Sequence, residues 1–185
     1  GVKYSEAGEA VEAFCKEFNI PFGETQAGKS ACKSSDPYCL GGIGVTGTLA
    51  ANRIAKEADT VLAIGSRLSD FTTGSKWLFR EEGVQVLTIN NNRYHAYKMD
   101  AIKAVGDAKA TLEELAKALR EKNYHSAYKG EIESCKAEWD EEYKRLAEYA
   151  YKEEGFEPLI EERDPRTIPE FVEKTQGYLT QTAAI

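Results

Sequence analysis

The chain has 185 residues, of which 42% are hydrophobic and 30% charged, and its net charge is −7 at neutral pH. This composition excludes disordered, collagen-like and coiled-coil proteins, and the acidic balance argues against nucleic-acid binding. No apolar run approaches the roughly 20 residues that a membrane helix needs. The chain has one methionine, Met99, and starts with Gly1. We therefore interpret it as a piece of a longer, cytoplasmic protein, and we expect no membrane or nucleic-acid partner.

The first half of the chain alternates helix and strand signals. A helix capped by Ser5 is predicted from apolar residues at helical spacing. An extended run at 20–25 and a loop at 26–42 follow, and a second helix begins near Thr48 and runs to Ala58. The face of the first helix comprises Ala7, Ala10, Val11, Phe14 and Phe18.

Three further strands are predicted at residues 60–65, 84–90 and 101–105, the first two apolar enough to be covered on both faces. A helix capped by Thr111, with Glu114 completing a capping box, comes next. This order predicts an α/β fold: a parallel sheet with helices on both faces, Rossmann-like, with ligands beyond the carboxyl ends of the strands. The polar segments 25–30, 66–73 and 90–93 are the expected binding regions.

The last third of the chain is acidic and predominantly helical. Its apolar residues recur every three or four positions, which predicts a long amphipathic helix that packs on the sheet domain, with a partner interface as the alternative. We expect a domain at 1–125 and a helix with interdomain connector at 126–185. Prolines mark 153–169 as the connector, and residues 175–185 read as the start of a next domain. The helical face comprises Ile132, Cys135, Trp139, Tyr143, Leu146 and Tyr149.

Two glycine motifs invite a nucleotide interpretation. Residues 42–47 match G-x-G-x-x-G, but the preceding residues read as loop, whereas the dinucleotide motif follows a strand. The glycines then either allow tight packing or bring a phosphate or carboxylate to the helix that starts near Thr48. Residues 23–30 match a P-loop, but no helix is predicted after Ser30. The four cysteines and two histidines lack metal or nucleophile spacing, so free thiols are expected.

Three segments together resemble the central domain of thiamine-diphosphate enzymes of the acetolactate synthase superfamily. They are residues 23–30 (GETQAGKS), 40–52 (LGGIGVTGTLAAN) and 58–74 (ADTVLAIGSRLSDFTTG). Within it, residues 24–30 and 70–74 look most like the C–C hydrolases that open trihydroxycyclohexanedione in myo-inositol catabolism. The resemblance covers residues 1–120, and residues 180–182 resemble the entry to a third domain.

The resemblance implies that thiamine diphosphate and Mg²⁺ bind to domains outside this chain. In the family, the activating glutamate precedes the central domain, and the metal-binding Gly-Asp-Gly and Asn follow it. The chain alone is then an inactive scaffold with no catalytic or metal-binding residue. Its partners would be the flanking catalytic domains of a homo-oligomeric parent.

Some family members hold FAD or ADP in this domain. The corresponding positions here are Gly44, Gly47, Arg67, Asp70 and Asn90. Because Asn90 and its two neighbours replace the acidic residues common at that strand end, we expect an empty or vestigial cleft without FAD or ADP. Two alternatives are a free-standing NAD- or FAD-binding sirtuin-like domain, which would need paired C-x-x-C motifs, and a non-enzymatic interaction module built on Trp139 and Tyr143.

Overall fold

Two parallel sheets form the framework of the protein in the computed structural model, which describes residues 1–79 and 82–153. Strands β1 (Phe22–Glu24) and β2 (Cys39–Gly42) form one sheet, and β3 (Thr60–Ile64), β4 (Gln85–Asn90) and β5 (Ile102–Val105) form the other, in the order β3-β4-β5. The helices are α1 (Gly8–Phe18), α2 (Leu49–Glu57), α3 (Asp70–Thr73), α4 (Arg93–Ala96), α5 (Ala108–Glu121) and α6 (Glu131–Glu153). Short 3-10 turns occupy Gln26–Gly28, Trp77–Phe79 and Lys98–Asp100.

Helices cover both faces of the three-stranded sheet, as the order of elements predicts. On one face, α1 and α5 enclose a cluster that contains Phe18, Leu112 and Ile89 of β4. Val86 of β4 points to the opposite face, because successive side chains of a strand alternate, and packs with Leu78. The predicted α/β fold with a parallel sheet is therefore confirmed.

The start of α1 differs from the prediction. The helix begins at Gly8, its N-cap is Ala7, and no side chain caps it. Ser5 lies instead in the turn that precedes the helix, where its N–H donates to the carbonyl of Gly1. The buried face of α1 is as expected, with Val11 and Phe14 in the core.

The cap of α5 also differs. The helix begins at Ala108, about one turn before the predicted Thr111 cap, because Asp107 accepts hydrogen bonds from the N–H groups of Lys109 and Ala110, both at 3.0 Å. Thr48, by contrast, caps α2 as predicted and accepts from the N–H of Ala51 at 3.0 Å.

The chain divides into two units, residues 1–140 and 141–185. Helix α6 confirms the long helix predicted from the sequence. Ile132 and Cys135 at its start are buried against Ala51 and Ile54 of α2, and Trp139 packs at the edge of this cluster. The predicted connector and domain start fall almost wholly beyond the described residues. No helix in the described ranges is both long and apolar enough to cross a membrane.

Candidate functional site

A cavity of about 360 Å³ opens at the carboxyl ends of β3, β4 and β5, where the topology of a parallel sheet favours ligands. We call it the strand-end cavity. Arg67 and Asn90, two of the five predicted site residues, lie in its lining, whereas Gly44, Gly47 and Asp70 do not. The lining comprises Gly1, Tyr4, Ser5, Gly65, Arg67, Ile89, Asn90, Asn91, Asn92, His95, Gly106, Asp107 and Ala108.

Asn90 uses its amide to hold the strand ends together. Only 5% of the residue is exposed. Its Nδ2 donates to the carbonyl of Ser66 at 2.9 Å, and its Oδ1 accepts from the N–H of Asn92 at 2.9 Å. The first bond joins the segment after β3 to the end of β4. The side chain therefore has a structural role at the end of β4.

Asp107 places a carboxylate beside the cavity, at the start of α5. Its pKa is lowered, first by a hydrogen bond from the Ser5 side chain and then by the N–H of Ala110. Negative charge is favourable at a helix N-terminus, and here the protein's own carboxylate occupies that position. A phosphate at the same helix end would be repelled by this charge.

His95 and Arg67 are two further polar residues in the lining of the cavity. His95 Nδ1 is buried and has no hydrogen-bond partner among the described residues. Arg67 is exposed and forms no ion pair with any other described side chain. His95 and Asp107 are not among the residues predicted from the sequence. Asp107 lies two residues after the predicted strand at 101–105, and this position is its only sequence signal.

The glycine loop, residues 42–48, follows a strand after all. The sequence analysis read the residues before it as loop, but Cys39–Gly42 forms β2 and pairs with β1. The order strand, glycine loop, helix is thus that of a dinucleotide-binding turn. The prediction that loop precedes the motif is therefore wrong. Whether the loop can bind a phosphate depends instead on where its N–H groups donate.

Five backbone N–H groups of the glycine loop donate to acceptors inside the protein. Asn52 of α2 pairs with Gly44 through both ends of its amide, with Oδ1 accepting from the Gly44 N–H and Nδ2 donating to the Gly44 carbonyl, each at 2.9 Å. Four further N–H groups donate to main-chain carbonyls at 2.8–3.0 Å: Ile43 to Glu24, Val45 to Phe71, Gly47 to Gly44 and Thr48 to Gly42. These five N–H groups are therefore not available to a ligand.

Close packing also explains the glycines themselves. Gly44 has φ of +105°, and a Cβ there would lie 2.3 Å from the carbonyl oxygen of Phe71. A Cβ on Gly47 would lie 2.7 Å from the Gly42 carbonyl oxygen. Asp70, the N-terminal residue of α3, directly precedes Phe71 and is exposed. The loop is therefore shaped to pack against the start of α3.

The P-loop match at residues 23–30 has no phosphate-binding geometry. A 3-10 turn, Gln26–Gly28, lies within it, and a turn rather than a helix follows Ser30. Glu24 is buried, and its Oε1 accepts from the N–H of Cys32 at 3.3 Å. A buried carboxylate inside the loop would repel phosphate, so the structure excludes this motif.

The residues present do not fit thiamine diphosphate or its metal. Over residues 1–79 and 82–153, no three His, Cys, Asp or Glu side chains group as metal ligands would. All four cysteines are free thiols, as expected, and burial raises the pKa of Cys15 and Cys32 to about 12. A thiol with such a pKa is protonated and unreactive at neutral pH.

The sequence of the chain places it in a known family. The family described as "Thiamine pyrophosphate enzyme, central domain" matches residues 1–115. The chain belongs to this family, in agreement with the parallel sheet and the resemblance noted above. The sirtuin-like and interaction-module alternatives find no support.

Several curated proteins of similar sequence are larger than this chain. The chain is 55% identical over 185 residues to proteins named 3D-(3,5/4)-trihydroxycyclohexane-1,2-dione hydrolase from Clostridium botulinum and Clostridium perfringens. It is 50% identical over the same length to the protein of that name from Bacillus cereus. In each case the match covers 100% of this chain and 29% of the relative.

Proposed function

We propose that this domain is the central, structural part of a thiamine-diphosphate-dependent hydrolase that opens the ring of trihydroxycyclohexanedione in myo-inositol degradation. The observation that carries the proposal is the 55% identity, which extends over the whole chain, to enzymes named for this reaction. Thiamine diphosphate, when bound, supplies a carbon nucleophile for cleavage of a C–C bond. Nothing in the described residues holds that group, so this chain's contribution is to position the domains that do.

In this proposal the flanking domains of the parent bind thiamine diphosphate and Mg²⁺. The present chain joins them and forms one wall of the approach to their active site. Residues 1–125 are the central domain, residues 126–185 are the helix and connector, and the parent is a cytoplasmic homo-oligomer. The chain on its own is then inactive.

The predicted cleft is, in the same proposal, a vestige that binds neither FAD nor ADP. Three contacts support this: Asn52 blocks the Gly44 N–H, Asn90 is engaged at both ends of its amide, and Asp107 neutralises the start of α5. The other candidate residues would then contribute to packing or to solubility; they are Gly47, Arg67 and Asp70.

The test is to purify the longer protein that contains this domain and to measure hydrolysis of the dione. We expect turnover that depends on added thiamine diphosphate and Mg²⁺, and none from the 185-residue chain. Cofactor-independent turnover by the longer protein, or turnover of a different dione only, would contradict the proposed activity.

The vestigial cleft is tested separately by isothermal titration of ADP and of FAD into the 185-residue chain. We expect no binding at micromolar concentrations. If either compound binds with sub-micromolar affinity, Asn90→Ala and Asn91→Ala variants locate the site, and the cleft is a working nucleotide site.

A further inference from the structure

The cations and aromatic rings beside β5 form an exposed surface that the proposed function does not use. Four residues, Arg93, Tyr94, Tyr97 and Lys98, line a cavity of about 470 Å³. The Nζ of Lys98 lies 5.8 Å from the ring centroid of Tyr94, and the Nζ of Lys103, on β5, lies 4.2 Å from that of Tyr97. We call these five residues the tyrosine–lysine patch; none of them lines the strand-end cavity.

The patch is locally positive on an acidic protein. Residues 93–105 carry three cations, Arg93, Lys98 and Lys103, and one carboxylate, Asp100, whereas the whole chain has a net charge of −7. None of the three cations forms an ion pair with another described side chain. Their charge is therefore left for a partner that carries carboxylates.

The two tyrosines of the patch indicate that the partner is a protein. Tyr94 is 76% exposed and Tyr97 is 54% exposed. A lysine on an edge strand is common, because it discourages aggregation, and this would explain Lys103 alone. It does not explain two exposed phenol rings with Arg93 beside them, since tyrosine and arginine are the residues over-represented at protein interfaces.

The outer edge of β5 adjoins the patch and has free backbone groups. Among the described strands, β5 pairs with β4 alone. The N–H of Gly106 donates to the carbonyl of Asn90 on β4. Because alternate residues of a strand direct their backbone groups to opposite sides, the N–H and C=O groups of Lys103 and Val105 point away from the sheet. An extended peptide laid along this edge finds two donors and two acceptors.

The two faces of β5 differ in polarity at this edge. Ala104 packs against the cluster between α1 and α5, and Ile102 shares that face and is 63% exposed. Lys103 lies on the opposite face, where it contacts Tyr97. A peptide strand along the edge would direct alternate side chains to these two faces, so that one set meets Ile102 and the other meets the cations.

We propose that the outer edge of β5 and the tyrosine–lysine patch bind an extended segment of a protein partner in which acidic and apolar residues alternate. The backbone of the segment bonds to Lys103 and Val105, as in recognition by strand addition. Its carboxylates bind Lys98 and Lys103, and its apolar side chains cover Ile102. This surface is separate from the strand-end cavity and does not depend on the proposed reaction.

The test is to titrate the peptide Glu-Val-Glu-Val-Glu into the 185-residue chain and to follow the backbone amides by NMR. We expect a dissociation constant below about 1 mM, with the largest shifts at Lys103 and Val105. The peptide Gln-Val-Gln-Val-Gln offers the same backbone groups without charge, and it should bind at least about tenfold more weakly. The affinity for the acidic peptide should also fall as salt is added.

Charge reversal on the patch sharpens the test. Lys103→Glu and Lys98→Glu should each weaken binding of the acidic peptide at least about tenfold. Lys56→Glu is the matched control, because Lys56 is also an exposed lysine over an aromatic ring, 4.4 Å from the centroid of Trp77. It should change the affinity less than about twofold. Circular dichroism checks folding, and Lys98→Glu, outside the strand, serves if Lys103→Glu does not fold.

Three results would overturn the proposal. They are no binding of the acidic peptide at about 1 mM, equal binding of the acidic and the uncharged peptide, and equal loss in Lys98→Glu and Lys56→Glu. Two other occupants are tested with the same chain. Tighter binding of a single-stranded oligonucleotide would identify the patch as a nucleic-acid surface. A dimer in light scattering that Lys98→Glu abolishes would identify a second copy of the chain, and either result would also overturn the proposal.

Discussion

The glycine loop and the strand-end cavity both follow parallel strands, yet the protein uses them in opposite ways. In the glycine loop, Asn52 and neighbouring carbonyls take up the backbone donors, and the glycines bring main chain within contact of α3. The strand-end cavity keeps open space. Within the described part of the chain, Arg67 has no ion-pair partner and the buried His95 Nδ1 has no hydrogen bond. The loop is closed and packed, whereas the cavity is open and polar.

This difference shows that a ligand motif and a ligand site are separate properties. The glycine loop has the sequence of a dinucleotide turn and, with β2, also its order of elements. It differs from a binding turn in that five of its N–H groups donate inside the protein, and the Asn52 side chain of α2 accepts from the central one, Gly44. The comparison predicts that substitutions in the loop affect stability strongly, whereas substitutions of exposed cavity residues without a structural hydrogen bond affect it weakly.

The largest effect is expected for Gly44→Ala. The new methyl group would overlap the Phe71 carbonyl oxygen in a backbone conformation that alanine disfavours, and we expect a loss of about 3–5 kcal/mol. Urea unfolding measures this loss. The control is Gly83→Ala, where φ is +86° but no atom of the described residues lies within 4 Å of the new Cβ; it should cost about 1–2 kcal/mol. Equal losses would mean that backbone strain, not packing, defines the loop.

The next effect is expected for Asn52→Ala. This variant removes both bonds to Gly44 and exposes its N–H and carbonyl, for an expected loss of about 2 kcal/mol by the same unfolding measurement. Asn91→Ala, an exposed amide in the cavity lining, is the control and should change stability by less than about 0.5 kcal/mol. If ADP binds to Asn52→Ala but not to the unsubstituted chain, Asn52 is what closes the loop to ligands.

The contributions of the two helix caps, Thr48 and Asp107, to the free energy of unfolding should depend differently on pH. Thr48→Ala removes an uncharged cap and should cost about 1 kcal/mol at every pH. Asp107 has a folded pKa below its ordinary value of 3.8, so its contribution is complete above that pH and is lost as the pH falls through the folded pKa.

The stabilities of the wild type and of Asp107→Asn should therefore differ at neutral pH and converge in acid. Urea unfolding between pH 7 and pH 2 measures both variants. A Thr48→Ala loss that varied with pH, or an Asp107→Asn difference that persisted below the folded pKa, would contradict the assignment of these caps.

The smallest effect is expected for Arg67→Ala. The side chain is exposed and has no ion-pair partner among the described residues, so unfolding should change by less than about 0.5 kcal/mol. Circular dichroism during urea titration is sufficient to detect a larger change. A loss above about 1.5 kcal/mol would show that Arg67 supports the fold and would remove the contrast between cavity and loop.

The sequence predicted most strands and helices because their signals are local. The strands at 60–65, 84–90 and 101–105 were found from apolar and β-branched runs, and Thr48 was found from its position before a helix. β2 was missed because two of its four residues are glycines, so that only pairing with β1 makes it a strand. The cap of α5 was misplaced because Thr111 imitates a capping box within the helix.

By itself, the sequence determined the family, the parallel α/β class and the acidic helix, since periodicity, turn residues and extended similarity all depend only on the order of the residues. Only the tertiary structure decided what the candidate site residues do. Arg67 and Asn90 meet at one cavity, while Gly44 is closed by Asn52, eight residues further on. The physical reason is that hydrogen-bond partners and free edges depend on neighbours in space, and these become defined only when the strands and helices pack.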